Sequence, residues 1–258
     1  MSIYQHFRKE EHAFVDQAAG WKQQVLDQYS PKLTGFLDPR QQQIALSLTG
    51  AGGDVKVAFH GGHPDCERKR ALFYPDYYVP EKDDYELVLY EIDYPSKFVK
   101  IEHPQVLGAL MNLGLKREKF GDIVQEHDRL QFVCAKDIAA FAEMNLLKIG
   151  RASVRLAEKP LSHIQIPSVT WTKTMLTVSS MRLDVVAAEL FKLSRSKSKA
   201  MIEAEQAKVN WKVTTDASLQ LMSGDMISLR GKGRAKVFEE DGRTKKDKIK
   251  LVAGFPSV

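Results

Sequence analysis

The sequence predicts an α+β protein built from three small domains, and three observations carry that reading. First, 258 residues with 43% hydrophobic and 28% charged content match a globular chain long enough for two or three modest cores. Second, strand and helix patterns follow one another in the order βαββαβ between residues 81 and 161. Third, the basic excess is confined to the end of the chain. Residues 179–258 hold 16 Lys and Arg against 10 Asp and Glu, whereas residues 1–178 hold 22 against 23. The predicted units are an N-terminal α/β domain (1–80), a ferredoxin-like middle domain (81–161) and a basic C-terminal domain (179–258). Cations concentrated in one segment point to a polyanionic partner for it.

In the first unit, helical patterning covers Glu10 to Gln28. Asp38-Pro39 offers an N-cap with proline at the first helical position, ahead of RQQQIALSL. DVKVAF reads as a strand and HGGHPDCERKR as a turn-rich link. His60, His63 and Cys66 have ligand-like spacing. A structural zinc needs four ligands and no second pair is near, so no metal is expected. GAGG at 50–53 follows a helical pattern rather than a strand, so a plain loop is expected instead of a phosphate cradle.

The middle unit reads as YELVLYEIDY (strand), PQVLGALMNLG (helix), FGDIVQEH and RLQFVCAK (strands joined tightly at Asp128), DIAAFAEMNLLKIG (helix) and ASVRLAEK (strand). Asp137 is the expected N-cap of the second helix, with Gly150 near its end. An RRM shares this order and stacks RNA bases on aromatics of its third strand. Here that strand offers Phe132 alone, so the shape is present without the usual platform. Residues 160–180 read as a connector containing one extended strand, and EEDGRTKKDKIKLVAGF as a final hairpin turning at Asp241-Gly242.

The third unit opens with MRLDVVAAELF, where Leu183, Val186, Ala187 and Leu190 form one apolar helical face. Ser194 then stands at an N-cap position. Lys197, Ala200, Met201 and Ala204 repeat the helical spacing and are expected to pack on the preceding helix, with Arg195 and Lys199 on another face. Asp184 reads as a first-turn acid that favours the dipole. Cations at a helix N-terminus oppose the macrodipole, so folding alone does not ask for SRSKSK there. An anion would meet N–H groups, the positive dipole end and basic side chains together, and phosphate is the obvious candidate.

RLDVVAAELFKLSRSKSKAMIEAEQAKVNWKV followed by GDMISLRGKGR resembles the S-four RNA-binding domain, an αL-type module named for ribosomal small-subunit protein four. The resemblance implies that Arg182, Ser194, Arg195, Ser196, Lys197 and Lys199 face structured RNA, with Lys208, Asn210 and Lys212 beside them. Arg230, Lys232 and Arg234 of RGKGR add three cations on glycine-permitted backbone. Glu205 stands where that family usually has Gly, so it must adopt a strained left-handed cap or the helix must run on. Ala207 replaces a usual Val. YQHFRKEE, LTGFLDPR, GGHPDCERKR and LGALMNLGLKREKFGDI are similar to segments of the bacterial YlmH family, so the resemblance covers nearly the whole chain. It implies a factor on the large ribosomal subunit, engaged in rescue of stalled nascent chains, with rRNA and tRNA as partners and cell-division genes as neighbours.

The basic clusters ERKR (67–70) and KREK (116–119) read equally as solvated loops or as secondary RNA contacts. RLD at 182–184 has the aspartate of a pseudouridine synthase motif but continues as VVAAEL, a helix. Synthetase signatures, a nucleophile elbow and a Walker loop are absent from the sequence, and no cofactor is expected. No apolar run reaches the ~18 residues of a membrane span. The start MSIYQHFRKEEHAF has no signal-peptide core, and Cys66 and Cys134 form no disulfide framework. A cytoplasmic location follows as an expectation. The expected function is non-catalytic binding of structured RNA on the ribosome. An RNA-modifying enzyme using the third unit for delivery and a protein-binding adaptor remain the alternatives.

Overall fold

A computed structural model describes residues 3–7, 9–50, 53–126, 129–166 and 170–257. The chain divides into two compact units, residues 1–167 and 168–258. In the first, α1 (His12–Gln28), β1 (Lys32–Leu37), α2 (Pro39–Thr49), β2 (Val55–His60) and β3 (Lys69–Pro75) form an antiparallel sheet of order β1-β3-β2 under two helices. The cap read from the sequence is present. Asp38 accepts from the Gln41 N–H at 2.8 Å, and Gln41 accepts from the Asp38 N–H at 2.9 Å, a reciprocal capping box before Pro39. Val15, Ala18 and Val25 of α1 meet Ile44 and Leu48 of α2 over Phe73. Gly50 closes α2 with φ 67, while Ala51 and Gly52 of GAGG lie outside the described residues.

The βαββαβ order is realised by β4 (Leu87–Asp93), α3 (His103–Asn112), β5 (Phe120–Glu126), β6 (Arg129–Ala135), α4 (Lys136–Asn145) and a last strand. Asp128, the expected turn between β5 and β6, lies outside the described residues. Two details depart from the sequence reading. Asp137 sits in the first turn of α4 rather than capping it, because Ala135 already leaves β6 in extended geometry, and the Asp137 carboxylate pairs with Lys119. The helix also stops at Asn145; the following residues form a hairpin of β7 (Lys148–Ile149) and β8 (Ala152–Ser153), with Gly150 at φ 59 in its turn. The last strand is β9 (Arg155–Lys159), and the sheet order is β5-β6-β4-β9.

The two sheets of residues 1–167 share a core. Phe36 of β1 and Cys66 join the apolar cluster built around Leu89, Phe120 and Phe132. Arg68 donates to the carbonyls of Phe36 (2.8 Å) and Phe120 (3.2 Å), and Asp122 accepts from the N–H groups of Glu67 and Arg68. Gly121 is where β5 meets Phe36: a Cβ there would stand 2.7 Å from the ring.

In residues 168–258, β10 (Thr170–Val178) precedes α5 (Leu183–Leu190) and α6 (Arg195–Glu203). Then follow β11 (Ala207–Val209), β12 (Lys212–Val213), β13 (Met226–Leu229), β14 (Gly233–Arg243) and β15 (Ile249–Ser257). The six strands are ordered β10-β15-β14-β13-β11-β12, and the connector strand β10 pairs with β15 along its whole length. The final hairpin exists, but Asp241-Gly242 is not its turn. Both lie within β14 at a register shift, with Gly242 at φ 75, and the chain reverses at 244–248. Leu183, Val186, Ala187 and Leu190 are buried as expected. The face of α6 is rotated by one residue: Ser198 and Ile202 are buried and Met201 packs against the core as expected, whereas Lys197, Ala200 and Ala204 are exposed. Ile202 supplies the large apolar group at this contact, and small Ser198 one turn earlier lets α6 approach closely.

Gly121→Ala should overpack the shared core and lower the stability of residues 1–167 by about 1–3 kcal/mol, measured as an earlier urea midpoint with unchanged slope.

Candidate nucleic-acid interface

The basic module is organised around one carboxylate. Asp184, 1% exposed on the first turn of α5, accepts from Arg182 through Nε at 3.0 Å and Nη2 at 3.2 Å, and from Arg195 Nε at 2.9 Å. Its role is therefore larger than a dipole contact. Burial acts to raise the carboxyl, but the hydrogen bonds and charges of Arg182 and Arg195 outweigh it and hold the group below the ordinary carboxylate range. The two arginines remain open to solvent, at 34% and 61% of their side-chain surface. Their orientation is fixed from within while their outer faces stay accessible.

Ser194 caps α6, accepting from the Lys197 N–H at 3.2 Å, and its hydroxyl lies 3.1 Å from that of Ser196. Arg195, Ser196, Lys197 and Lys199 are all exposed around this first turn. Lys199 pairs with Glu203 at 3.6 Å, a surface contact of small weight. The far end of α6 adopts the strained form. Glu205 stands at φ 58, its N–H reaches the Ile202 carbonyl and the Gln206 N–H reaches that of Met201, a Schellman closure with Glu in the glycine position.

The remaining cations belong to the sheet. Lys208 of β11 lies in register with Ser228 of β13, which lies in register with Arg234 of β14, so Lys208 and Arg234 share one face. Arg230 and Lys232 are exposed in the adjoining turn, where Gly231 and Gly233 take φ 73 and 94. The Arg230 N–H binds the Gln206 carbonyl just beyond α6. Asn210 and Trp211, at φ 49 and 68, form the two-residue turn to Lys212. The Asn210 amide is committed locally, donating to Asp225 at 2.7 Å and accepting from the Met226 N–H at 2.9 Å. It latches the hairpin rather than reaching outward. The twelve expected residues thus fall into a group at the start of α6 and a group on the sheet and its turns.

The arginines of the other cationic clusters turn inward, while Lys116 stays exposed. Arg70, 7% exposed, donates to the carbonyls of Thr34, Tyr85 and Glu86, and Arg117 is bound to the carbonyl of Gly121. With Arg68 they are structural cations. Cys66 donates its thiol to the Gly61 carbonyl, burial pushes that thiol up to about 12, and no three metal-binding groups converge among the described residues. The sheet face that an RRM leaves open for RNA is closed here. Phe132 faces α4 beside Tyr90, whose hydroxyl donates to the Ala139 carbonyl. On the opposite face Gln131 binds the His163 carbonyl and the Gln165 N–H. Leu161 and Ile164 cover that side, packing near Val133 and Gly62.

Family models match three successive stretches: "YlmH, N-terminal" at 10–78, "Putative RNA-binding domain in YlmH" at 80–163 and "S4 domain" at 181–227. "Ribosome-associated protein quality control protein P2" of Bacillus subtilis (strain 168) is 48% identical over 249 residues, covering 96% of each chain. The chain belongs to the YlmH family. A solved YlmH-family structure, "Cell division protein ylmH from Streptococcus pneumoniae", is 36% identical with a TM-score of 0.56, over 64% of this chain and 100% of that one. Among the described residues, no helix is long and apolar enough to cross a membrane.

Asp184→Asn should remove both charge-assisted contacts and cost about 2 kcal/mol at neutral pH. The folded-state carboxyl lies below its unfolded value, so its contribution is complete above about pH 4 and is lost as pH falls through the lowered value. Urea melts across this range should show an acid limb that Asp184→Asn flattens. Glu205→Gly should stabilise the C-terminal unit by about 1 kcal/mol by relieving the left-handed cap, seen as a higher melting temperature.

Proposed function

We propose that this chain is a non-catalytic RNA-binding factor that holds structured rRNA or tRNA at the large ribosomal subunit, in ribosome-associated quality control in the cytoplasm. The observation that carries the reading is the arginine pair, Arg195 exposed and Arg182 half-buried, locked on buried Asp184 beside the Ser194-capped start of α6. A phosphate placed there meets fixed guanidinium groups, helix N–H donors and Lys197 and Lys199 together. Contacts of this kind recognise folded backbone rather than sequence. The name of the Bacillus subtilis relative supports the ribosomal setting, while a cell-division role rests only on the name of the Streptococcus pneumoniae relative.

The site is proposed to comprise Arg182, Ser194, Arg195, Ser196, Lys197, Lys199, Lys208, Lys212, Arg230, Lys232 and Arg234, with Asn210 shaping the hairpin that carries Lys208 and Lys212. The functional division into 1–80, 81–161 and 179–258 is retained in this reading. Asp184, buried and doubly paired with arginine, is in poor condition for a catalytic acid or nucleophile, which speaks against reading RLD as a synthase motif.

A folded Arg195→Ala, Lys199→Ala variant should lose ribosome co-sedimentation, and wild-type log affinity should fall with log salt at a slope of roughly −4 for about five neutralised phosphates. Normal co-sedimentation by that variant would refute the reading. A modification missing from deletion-strain rRNA or tRNA and restored by the protein would favour the enzyme.

A further inference from the structure

The outer face of the C-terminal sheet carries a second basic surface, away from the start of α6. Alternation along β10 puts Trp171, Lys173 and Met175 on one side, and register carries that side across the sheet. Lys173 pairs with Gly254, which pairs with Lys236, so the two lysines flank β15. Two residues from Lys236 on the same face stands Arg234, in register with Ser228 and then Lys208. The row crosses five strands, about 19 Å at the usual spacing.

Phe238 organises the end of this row. Its ring rests against Gly254, where a Cβ would stand 3.2 Å from it, and the ammonium groups of Lys173 and Lys236 lie 4.6 and 5.5 Å from its centroid. Trp171, half-buried, meets the same ring edge-to-face at 5.8 Å. Lys173, Lys208 and Lys236 make no ion pair among the described residues. Glu239, in register with Val252, bounds the row beyond Phe238. Like charges gathered on one sheet face oppose folding. Their compensation here is an aromatic ring, which holds the ammonium groups in place without neutralising them.

We propose that this face binds a short unpaired RNA strand, with phosphates along Lys208, Arg234, Lys236 and Lys173 and a base stacked on Trp171. Cations tracking a backbone beside an aromatic surface are how single strands are held without sequence preference, and the row suits about four nucleotides. The inference rests on the RNA-binding reading and deepens it: Lys208 and Arg234, already in the proposed site, are joined on the sheet by Lys173, Lys236 and Trp171, so that the start of α6 takes folded RNA and the outer sheet face takes the strand that leaves it.

The test uses the full chain and a labelled oligouridine of about ten nucleotides. Trp171→Ala and the Lys173→Glu, Lys236→Glu variant should each weaken oligouridine binding roughly 5- to 100-fold, and ultraviolet cross-links should map to the Trp171 peptide. Should Trp171→Ala lower the melting temperature, Lys173→Gln with Lys236→Gln removes charge while keeping the strand and carries the test. The Arg195→Ala, Lys199→Ala variant should keep oligouridine affinity within about twofold, a change of under ~0.5 kcal/mol, so loss of ribosome binding and loss of strand binding are read separately. Sheet variants that bind oligouridine like wild type would overturn the proposal. So would equal competition by poly-glutamate, which would assign the face to an acidic protein segment.

Discussion

A buried carboxylate that holds two arginines is the constraint on which the C-terminal unit turns. Asp184 sits at the first turn of α5, where the helix dipole already favours negative charge, and Arg182 and Arg195 reach it from either side of that helix in the chain. Removed from water without partners, the carboxylate would be costly; paired twice, it becomes a fixed point. That fixed point helps explain how α6 can begin with Arg195, Lys197 and Lys199 against its own dipole. One of the three charges is compensated from inside, and Ser194 satisfies a first-turn N–H. The same guanidinium groups meet the carboxylate on one side and solvent on the other.

Features governed by local rules were legible in the sequence. The Asp38-Pro39 cap, the βαββαβ order and the Ser194 cap each depend on a few neighbouring residues, and each is present; of the two outcomes open at Glu205, the left-handed cap is the one adopted. Features decided by tertiary packing were not. The α6 stripe was displaced by one residue because a buried serine reads as polar, although its small size is what lets α5 approach. Asp241-Gly242 has the composition of a hairpin turn, yet long-range pairing of β14 with β15 makes it a bulge. Arg68, Arg70 and Arg117 resemble a nucleic-acid patch in one dimension and are carbonyl-binding cations in three. Asp184 reads in sequence as no more than a first-turn acid because its second arginine lies eleven positions downstream.

The sheet of the middle segment shows how a shared topology can be redirected. Its strand order is that of RNA-binding relatives, but Phe132 is spent on the helical side and the opposite face is lidded by residues 161–166. The C-terminal sheet does the reverse. Its inner face packs on α5 and α6, while its outer face keeps lysines beside rings. Alternation in TWTKTMLTV contained that information, since Trp171 and Lys173 are two apart, but its partners lie more than sixty residues away.

Phe36 seated against Gly121 has a consequence for how residues 1–167 behave as matter. Two segments that family models treat separately hold each other's interior closed, through Phe36, Cys66 and the Arg68–Asp122 contacts. Cutting the polypeptide near residue 80 would leave oily surface bare on both fragments. A shared interior of this kind is expected to meet heat or denaturant as one cooperative body, with damage to either half registered by both.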